Sequence, residues 1–327
     1  MPTPTQRDPS RTSMLRRSMV ADVNRRFSKL QRNVRTLVQE ENAFGLGDIT
    51  QNRRFAFLTN RRKVAAFRAW LQEQVDEGIL ESSSEEPWTD EYVGSAYRKG
   101  VIRSATDAKR AGYELAEETA FSEQIGFLQS AFRTTESVAR LEMLYTRTFE
   151  GLTGITQQMS TNMSRTLALG LADGLGADEV ARNLNREVKN IGINRARTLA
   201  RTEIVYAQAE GQLDGFEELE IEELEILAEW STTGDDLVCP LCRPLEGTVY
   251  TVKEARGLLP RHPNCRCAWI PGNVGEELTN VDRKEAIRQS VVAERPGRTV
   301  KEALRESRWS GADRENTAGP KKDFFVE

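Results

Sequence analysis

The chain has 327 residues, of which 38% are hydrophobic and 29% charged, with a formal net charge of −4 and a pI of about 5.5. That length allows two domains, or one domain plus an extended part, and the charge balance does not mark a nucleic-acid binder working through bulk positive charge. Aromatics make up only 7%, which favours long helices over a thick aromatic core. No apolar run approaches the roughly 18 residues that span a bilayer. The first residues, MPTPTQRDPSRTSMLRRSM, lack the apolar stretch of a signal peptide. A cytoplasmic, reducing setting is therefore expected, where clustered cysteines more often mean metal than disulfide.

Residues 1–13 are rich in Pro, Ser, Thr and Arg and read as a disordered basic N-terminus. From Met14 to about Glu41, Leu15, Met19, Val23, Phe27, Leu30, Val34 and Leu37 recur at spacings of three and four, predicting a helix with one apolar stripe. Its other faces are basic, which suits either a solvated face or an arm that meets DNA phosphates or an acidic partner. Residues 59–77 read as a second helix, with Val64, Phe67, Leu71 and Val75 on one face. SSSEEPWTD (82–90) is a break, with Asp90 able to cap the next helix.

Helical periodicity returns in 90–112, 119–149 and 153–174, the middle segment carrying Val138, Leu141, Tyr145 and Thr148 on a stripe. The chain is expected to turn at Gly174–Gly176. A short helix with acidic residues in its first turn comes next, then another from Asn194 to about Gly215. FEELEIEELEILAEW is ambiguous between helix and strand, its second half favouring strand. GTVYT (247–251) and CAWIP (267–271) read as strands. Residues 251–258 read as a short helix capped by Thr251 and stopped by Gly257. After Gly275 the composition is polar and charged, with one helix expected around Thr299–Ser307. The chain therefore reads as a helical arm (14–150), a compact mixed α+β region (151–274) and a charged tail (275–327). The fold class is mostly α, an elongated helical N-terminal region followed by a small α+β domain.

All four cysteines and the only histidine fall between Cys239 and Cys267, as C-P-L-C, 19 residues, then H-P-N-C-R-C. A tetrahedral Zn²⁺ takes four N/S ligands, commonly as two pairs from separate loops. Cys239-x-x-Cys242 suits one knuckle. His262, Cys265 and Cys267 offer three donors for the two remaining places. If the chain is extended there, Cys265 and Cys267 point to opposite faces, so the preferred set is Cys239, Cys242, His262 and Cys265, with Cys267 as the substitute. The ion would be structural, because a closed four-ligand set leaves no open position and a small region with little apolar content needs a staple. Cysteines without metal, reduced or disulfide-bonded, are the competing reading. With one histidine, a Ser–His–Asp triad is hard to build, and no phosphate-binding glycine motif is present.

The order of motifs from about residue 155 to 271 resembles the phage Mu F-like minor head protein family, also called phage head morphogenesis proteins. The resemblance is carried by the stretch ending L-G-A-D-E-V-A-R-N-L at Leu184, by A-R-T-E (200–203), by E-W-S-T-T-G-D-D-L-V-C-P-L-C (229–242), by L-E-G (245–247) and by H-P-N-C-R-C (262–267). Leu237 departs from the pattern, standing where a basic residue is common. The resemblance implies a non-enzymatic capsid component of the virion, at the portal vertex or capsid interior. Its implied partners are the portal protein and the major capsid or scaffolding protein, with packaged DNA reached through the basic N-terminal arm and no membrane. It implies a role in head assembly and an influence on DNA packaging or ejection. Arg201 and Glu203 read as a buried or half-buried ion pair fixing the helix against the Trp230–Asp235 hairpin. The rival readings are a toxin-like or nuclease enzyme and a DNA-binding protein.

Overall fold

A computed structural model describes residues 8–46, 53–81, 86–113, 134–219, 226–272 and 282–294, with the side chains of 53–58 left out. The described chain is mostly helical, with one small antiparallel sheet. The helices are α1 (Ser13–Arg35), α2 (Arg53–Val75), α3 (Trp88–Arg110), α4 (Thr135–Asp173), α5 (Ala177–Glu187), α6 (Asn194–Glu218), α7 (Val252–Ala255) and α8 (Arg283–Glu294). The strands are β1 (Ala228–Ser231), β2 (Val249–Tyr250) and β3 (Ala268–Pro271), in the order β2-β1-β3. No described helix is long and apolar enough to cross a membrane. Residues 119–133 and the helix expected at Thr299–Ser307 lie outside the described residues, as does most of the expected tail.

Two compact units interleave along the chain: 17–90 with 146–200, and 1–16 with 91–145 and 201–327. The boundary expected at residue 150 falls inside α4, which runs unbroken where two helices were expected. Its glycines do not break it. A Cβ on Gly151 would sit 2.9 Å from the Leu199 side chain, so this glycine admits a close neighbour, while Gly154 faces open space.

In the 17–90/146–200 unit, α1 buries Met19, Val23, Phe27, Leu30 and Val34, as the stripe predicts. The stripe then passes to Val38 rather than Leu37, because Thr36–Glu40 is a π-helical turn whose wider pitch advances the phase by one residue. After α2 a second π-helical turn, Asp76–Leu80, carries Ile79, which continues the four-residue spacing of Phe67, Leu71 and Val75. Each such large apolar side chain removed from water contributes about 1.5–3 kcal/mol.

The other unit is organised around α6, in which every residue from Thr202 to Phe216 is buried. Its glycines let α3 approach to backbone contact. A Cβ on Gly211 would collide with the Tyr97 carbonyl, and one on Gly100 with the Gln208 carbonyl. The stripe expected on α4 is rotated: Leu144 and Thr148 are buried, whereas Val138 is 47% exposed. Residues 8–12, read from composition as disordered, form a turn that caps α1. There Asp8 accepts the Ser13 N–H at 2.9 Å and pairs with Arg16 at 2.7 Å.

The glycine contacts set a stability test. Gly211→Ala should cost roughly 1–3 kcal/mol or more by overpacking α3 against α6. Gly154→Ala, in open helix, should instead stabilise by about 0.5–1 kcal/mol. Urea denaturation of the two variants beside the parent reads both signs. Equal midpoints would contradict the packing described.

Candidate metal centre

The centre is assembled from two loops carried by the sheet. β1 pairs antiparallel with β2 and with β3, Trp230 lying opposite Trp269. The two indoles meet edge to face at 5.3 Å between centroids, and Tyr250 adds a third ring 5.5 Å from Trp269. These rings, with Leu213, Phe216, Leu245 and Leu259, form the apolar bed on which Cys242, Cys265 and Cys267 lie buried.

From β1 the chain turns at Gly234, whose φ of +61° lies in the left-handed region where glycine carries no steric penalty. Asp235 shapes that turn, its Oδ1 accepting the Leu237 N–H at 3.1 Å. Cys239 then opens a knuckle: its carbonyl accepts the N–H of Cys242 at 3.1 Å and of Arg243 at 3.0 Å. The second loop follows α7, whose capping box joins Thr251 and Glu254. There the His262 carbonyl accepts the Cys265 N–H at 3.1 Å, closing a turn with Asn264 at a φ of +61°. The Asn264 N–H is in turn donated to Thr202 Oγ1 of α6 at 3.0 Å. Arg266 clamps the loops together, its two terminal nitrogens 2.7 and 2.8 Å from the Asp235 oxygens. Arg261, 2% exposed, reaches Glu294 of α8 at 2.6 Å.

All five donors named from the sequence converge. Cys239, Cys242 and His262 form one group, and Cys242, Cys265 and Cys267 another, the ligand atoms within each lying within 4.8 Å of one another. Cys239 Sγ is 3.0 Å from His262 Nε2, and Cys242 Sγ is 4.0 Å from Cys265 Sγ. Ligand edges around a tetrahedral zinc with bonds of about 2.0–2.3 Å are roughly 3.5–3.8 Å, so one separation falls short of that range and the other just exceeds it, and shifts of about half an ångström would fit a shared ion. His262 Nδ1 lies 2.8 Å from the Pro263 carbonyl. Donation of the Nδ1 proton there leaves the Nε2 lone pair free toward Cys239, the orienting contact that metal-binding imidazoles use.

One expectation is corrected. Cys265 and Cys267 were expected on opposite faces, but both reach Cys242, because strand β3 begins only at Ala268 and residues 265–267 are irregular. Cys267 is therefore a candidate donor on the same footing as the others.

The electrostatics fit a cation. The Cys239 thiol is lowered to about 4 by hydrogen bonding with Cys242 and then, against burial, with His262. Cys265 is held well below an ordinary thiol by hydrogen bonds from Cys242 and Cys267, while those two are pushed up. The crowded sulfurs thus compete for protons, and a divalent ion relieves that competition by letting several be thiolates at once. The buried Trp230 Nε1–H has no oxygen or nitrogen acceptor among the described residues and bears on Cys267, where it favours the thiolate.

The pairing expected between Arg201 and Glu203 does not form. Arg201 is exposed and Glu203 is 1% exposed, since residues two apart on a helix face different ways. The sequence reading also missed α8, which presents Ser290 and Glu294 to Arg261. Its polar composition hid a helix whose short apolar face, Ala286, Ile287 and Val291, packs on the core beside its ion pairs.

A ligand series tests the arrangement. Cys242→Ser removes the donor common to both groups and should abolish metal retention through gel filtration. Cys239→Ser, His262→Ala or Cys267→Ser should each keep a metal more weakly, because a fifth donor remains to complete the set. Full retention by Cys242→Ser would contradict this.

The comparisons agree with the geometry. Residues 161–270 match the family described as phage Mu protein F like protein. No curated protein and no solved structure is significantly similar to the chain. The matched segment holds the whole Cys/His window, the A-R-T-E stretch and the sheet as far as Ile270, so this third of the chain is similar to the phage Mu protein F like family.

Proposed function

We propose that the protein is a minor head protein of a tailed phage, acting in head morphogenesis as a non-enzymatic component of the virion. The observation that carries this reading is the family match over residues 161–270, which includes all five candidate donors of the Cys/His centre. The finer parts of the proposal are association with the portal or with the capsid and scaffolding shell, and an influence on DNA packaging or ejection. In this reading the Cys/His centre holds a structural Zn²⁺, supplied by Cys242, Cys265 and Cys267 with Cys239 or His262. The ion closes two loops that short strands alone would not hold.

Two observations support a structural role over an enzymatic one. The chain's only histidine is committed to the cysteine cluster, with Nε2 3.0 Å from Cys239 Sγ. Arg201 and Glu203, the charged pair that an enzyme site on this helix would share, diverge from each other. On this reading Glu203→Ala should lower stability by roughly 1–3 kcal/mol, because the carboxylate is 1% exposed and its removal leaves its contacts unsatisfied. A Glu203→Ala protein that folded as well as the parent but lost a hydrolytic or transferase activity would favour the enzyme reading.

The direct test is quantitative mass spectrometry of purified proheads and virions from the phage that encodes the chain. The expected result is a few copies per particle. Absence from proheads and virions alike would overturn the reading.

A further inference from the structure

The five donors of the Cys/His centre are not equally placed. Cys242, Cys265 and Cys267 are 2%, 0% and 3% exposed, lie on the apolar bed, and bring their sulfurs within 4.8 Å of one another. Cys239 and His262 are only half-buried, beside the exposed Pro240, Pro263 and Asn264, so they form the solvent side of the cluster. Cys239 Sγ and His262 Nε2 are 3.0 Å apart. With bonds of about 2.3 Å to sulfur and 2.0 Å to nitrogen, that edge closes the angle at a shared ion to roughly 90°, against about 109° in a tetrahedron. The Cys242–Cys265 edge of 4.0 Å opens the corresponding angle only to about 120°. The outer pair therefore stands closer together than two separate corners require, and the three buried thiols with either member of the pair make four ligands. His262 is already set for that place: its Nδ1 is 2.8 Å from the Pro263 carbonyl, which turns Nε2 toward Cys239.

On the structural-zinc reading, from which this follows, we propose that Cys239 is a thiol-modification site and an exchangeable ligand. The buried trio of Cys242, Cys265 and Cys267 keeps the ion throughout, and the fourth place passes from Cys239 to His262 when an electrophile takes the Cys239 sulfur. Access sets the order of reaction. Thiol modification follows thiolate character and exposure, and Cys239 is the one cysteine of the four that is not buried. With iodoacetamide the Cys239 sulfur gives an electron pair to carbon as the carbon–iodine bond breaks. Iodide leaves, and any proton on the sulfur passes to buffer. The thioether that results carries no negative charge, and it is the thiolate that serves as the zinc ligand. His262 Nε2, 3.0 Å from that sulfur, reaches the same place by a small rotation of its ring. A site of four donors would be left with three. The fifth keeps both loops closed, so that losing the accessible thiol weakens the site without emptying it.

The test treats the full chain, purified without added metal, with equimolar iodoacetamide. Native mass spectrometry counts adducts and zinc on the same molecule, and peptide mapping after denaturation locates the adduct. The parent should carry a single adduct, on Cys239, and keep its zinc. In His262→Ala, which should hold zinc before treatment, the same adduct should expel it. Cys239→Ser should keep zinc and stay unmodified at this dose. Circular dichroism before treatment confirms that each variant is folded. Four results would overturn the exchange: zinc lost from the parent with its first adduct, a first adduct on Cys242, Cys265 or Cys267, zinc retained by adducted His262→Ala, or His262→Ala empty before treatment. A parent that neither carries zinc nor takes it up when supplied would overturn the metal reading itself, and the exchange with it.

Discussion

Burying α6 on every side forces its polar residues to find partners, and much of the surrounding unit is arranged to supply them. Asp214 receives Arg140, the Tyr97 hydroxyl and Arg256, the last at 2.7 Å. Glu210 receives Arg256 at 3.4 Å and the Gly257 N–H at 3.0 Å, and burial still raises its carboxyl despite these partners. A buried carboxylate without such company would cost several kcal/mol. The partners come from α3, α4 and the loop after α7, so satisfying one helix fixes three segments that are remote in sequence. Tyr97 shows the tightness of the arrangement: burial and then the adjacent Asp214 charge push its phenol far above the ordinary range.

The position of α6 passes directly to the metal centre. Thr202, at the start of its buried stretch, accepts the Asn264 N–H and so sets the turn that presents His262 and Cys265. Thr232 donates its N–H to Glu246 at 2.6 Å, tying the strand end to the 3₁₀ turn behind Cys242. The residues that accompany the cysteines in the family pattern therefore act by positioning: Thr202, Asp235, Glu246 and Trp230 each hold a loop or a sulfur. Strands of four, two and four residues offer few ladder bonds, and a sheet that small depends on what is fastened across it. The apolar bed under the indoles holds one side, and the two Cys/His loops converge on the other.

Much of this was legible in the residues. Spacings of three and four located α1 and α2 and their buried faces, and a single window of soft ligands named all five donors. Thr251 and Gly257 bounded α7 as read. What escaped the sequence depends on long-range geometry. The π-helical turn in which Val38 rather than Leu37 is buried has no local signature. Nothing in the chain marked 135–173 as one helix, because Gly151 looks like a breaker until Leu199 is placed against it. The shared orientation of Cys265 and Cys267 depends on a turn fixed by Thr202, some sixty residues earlier.

The central claim is that the Cys/His loops are closed by one ion, on which the small sheet depends. Native mass spectrometry of protein purified without added metal, followed by thermal melting with and without a strong chelator, tests it most directly. The account predicts about one zinc per chain and a melting transition that falls sharply when the ion is removed. A metal-free protein whose melting is indifferent to the chelator would contradict it.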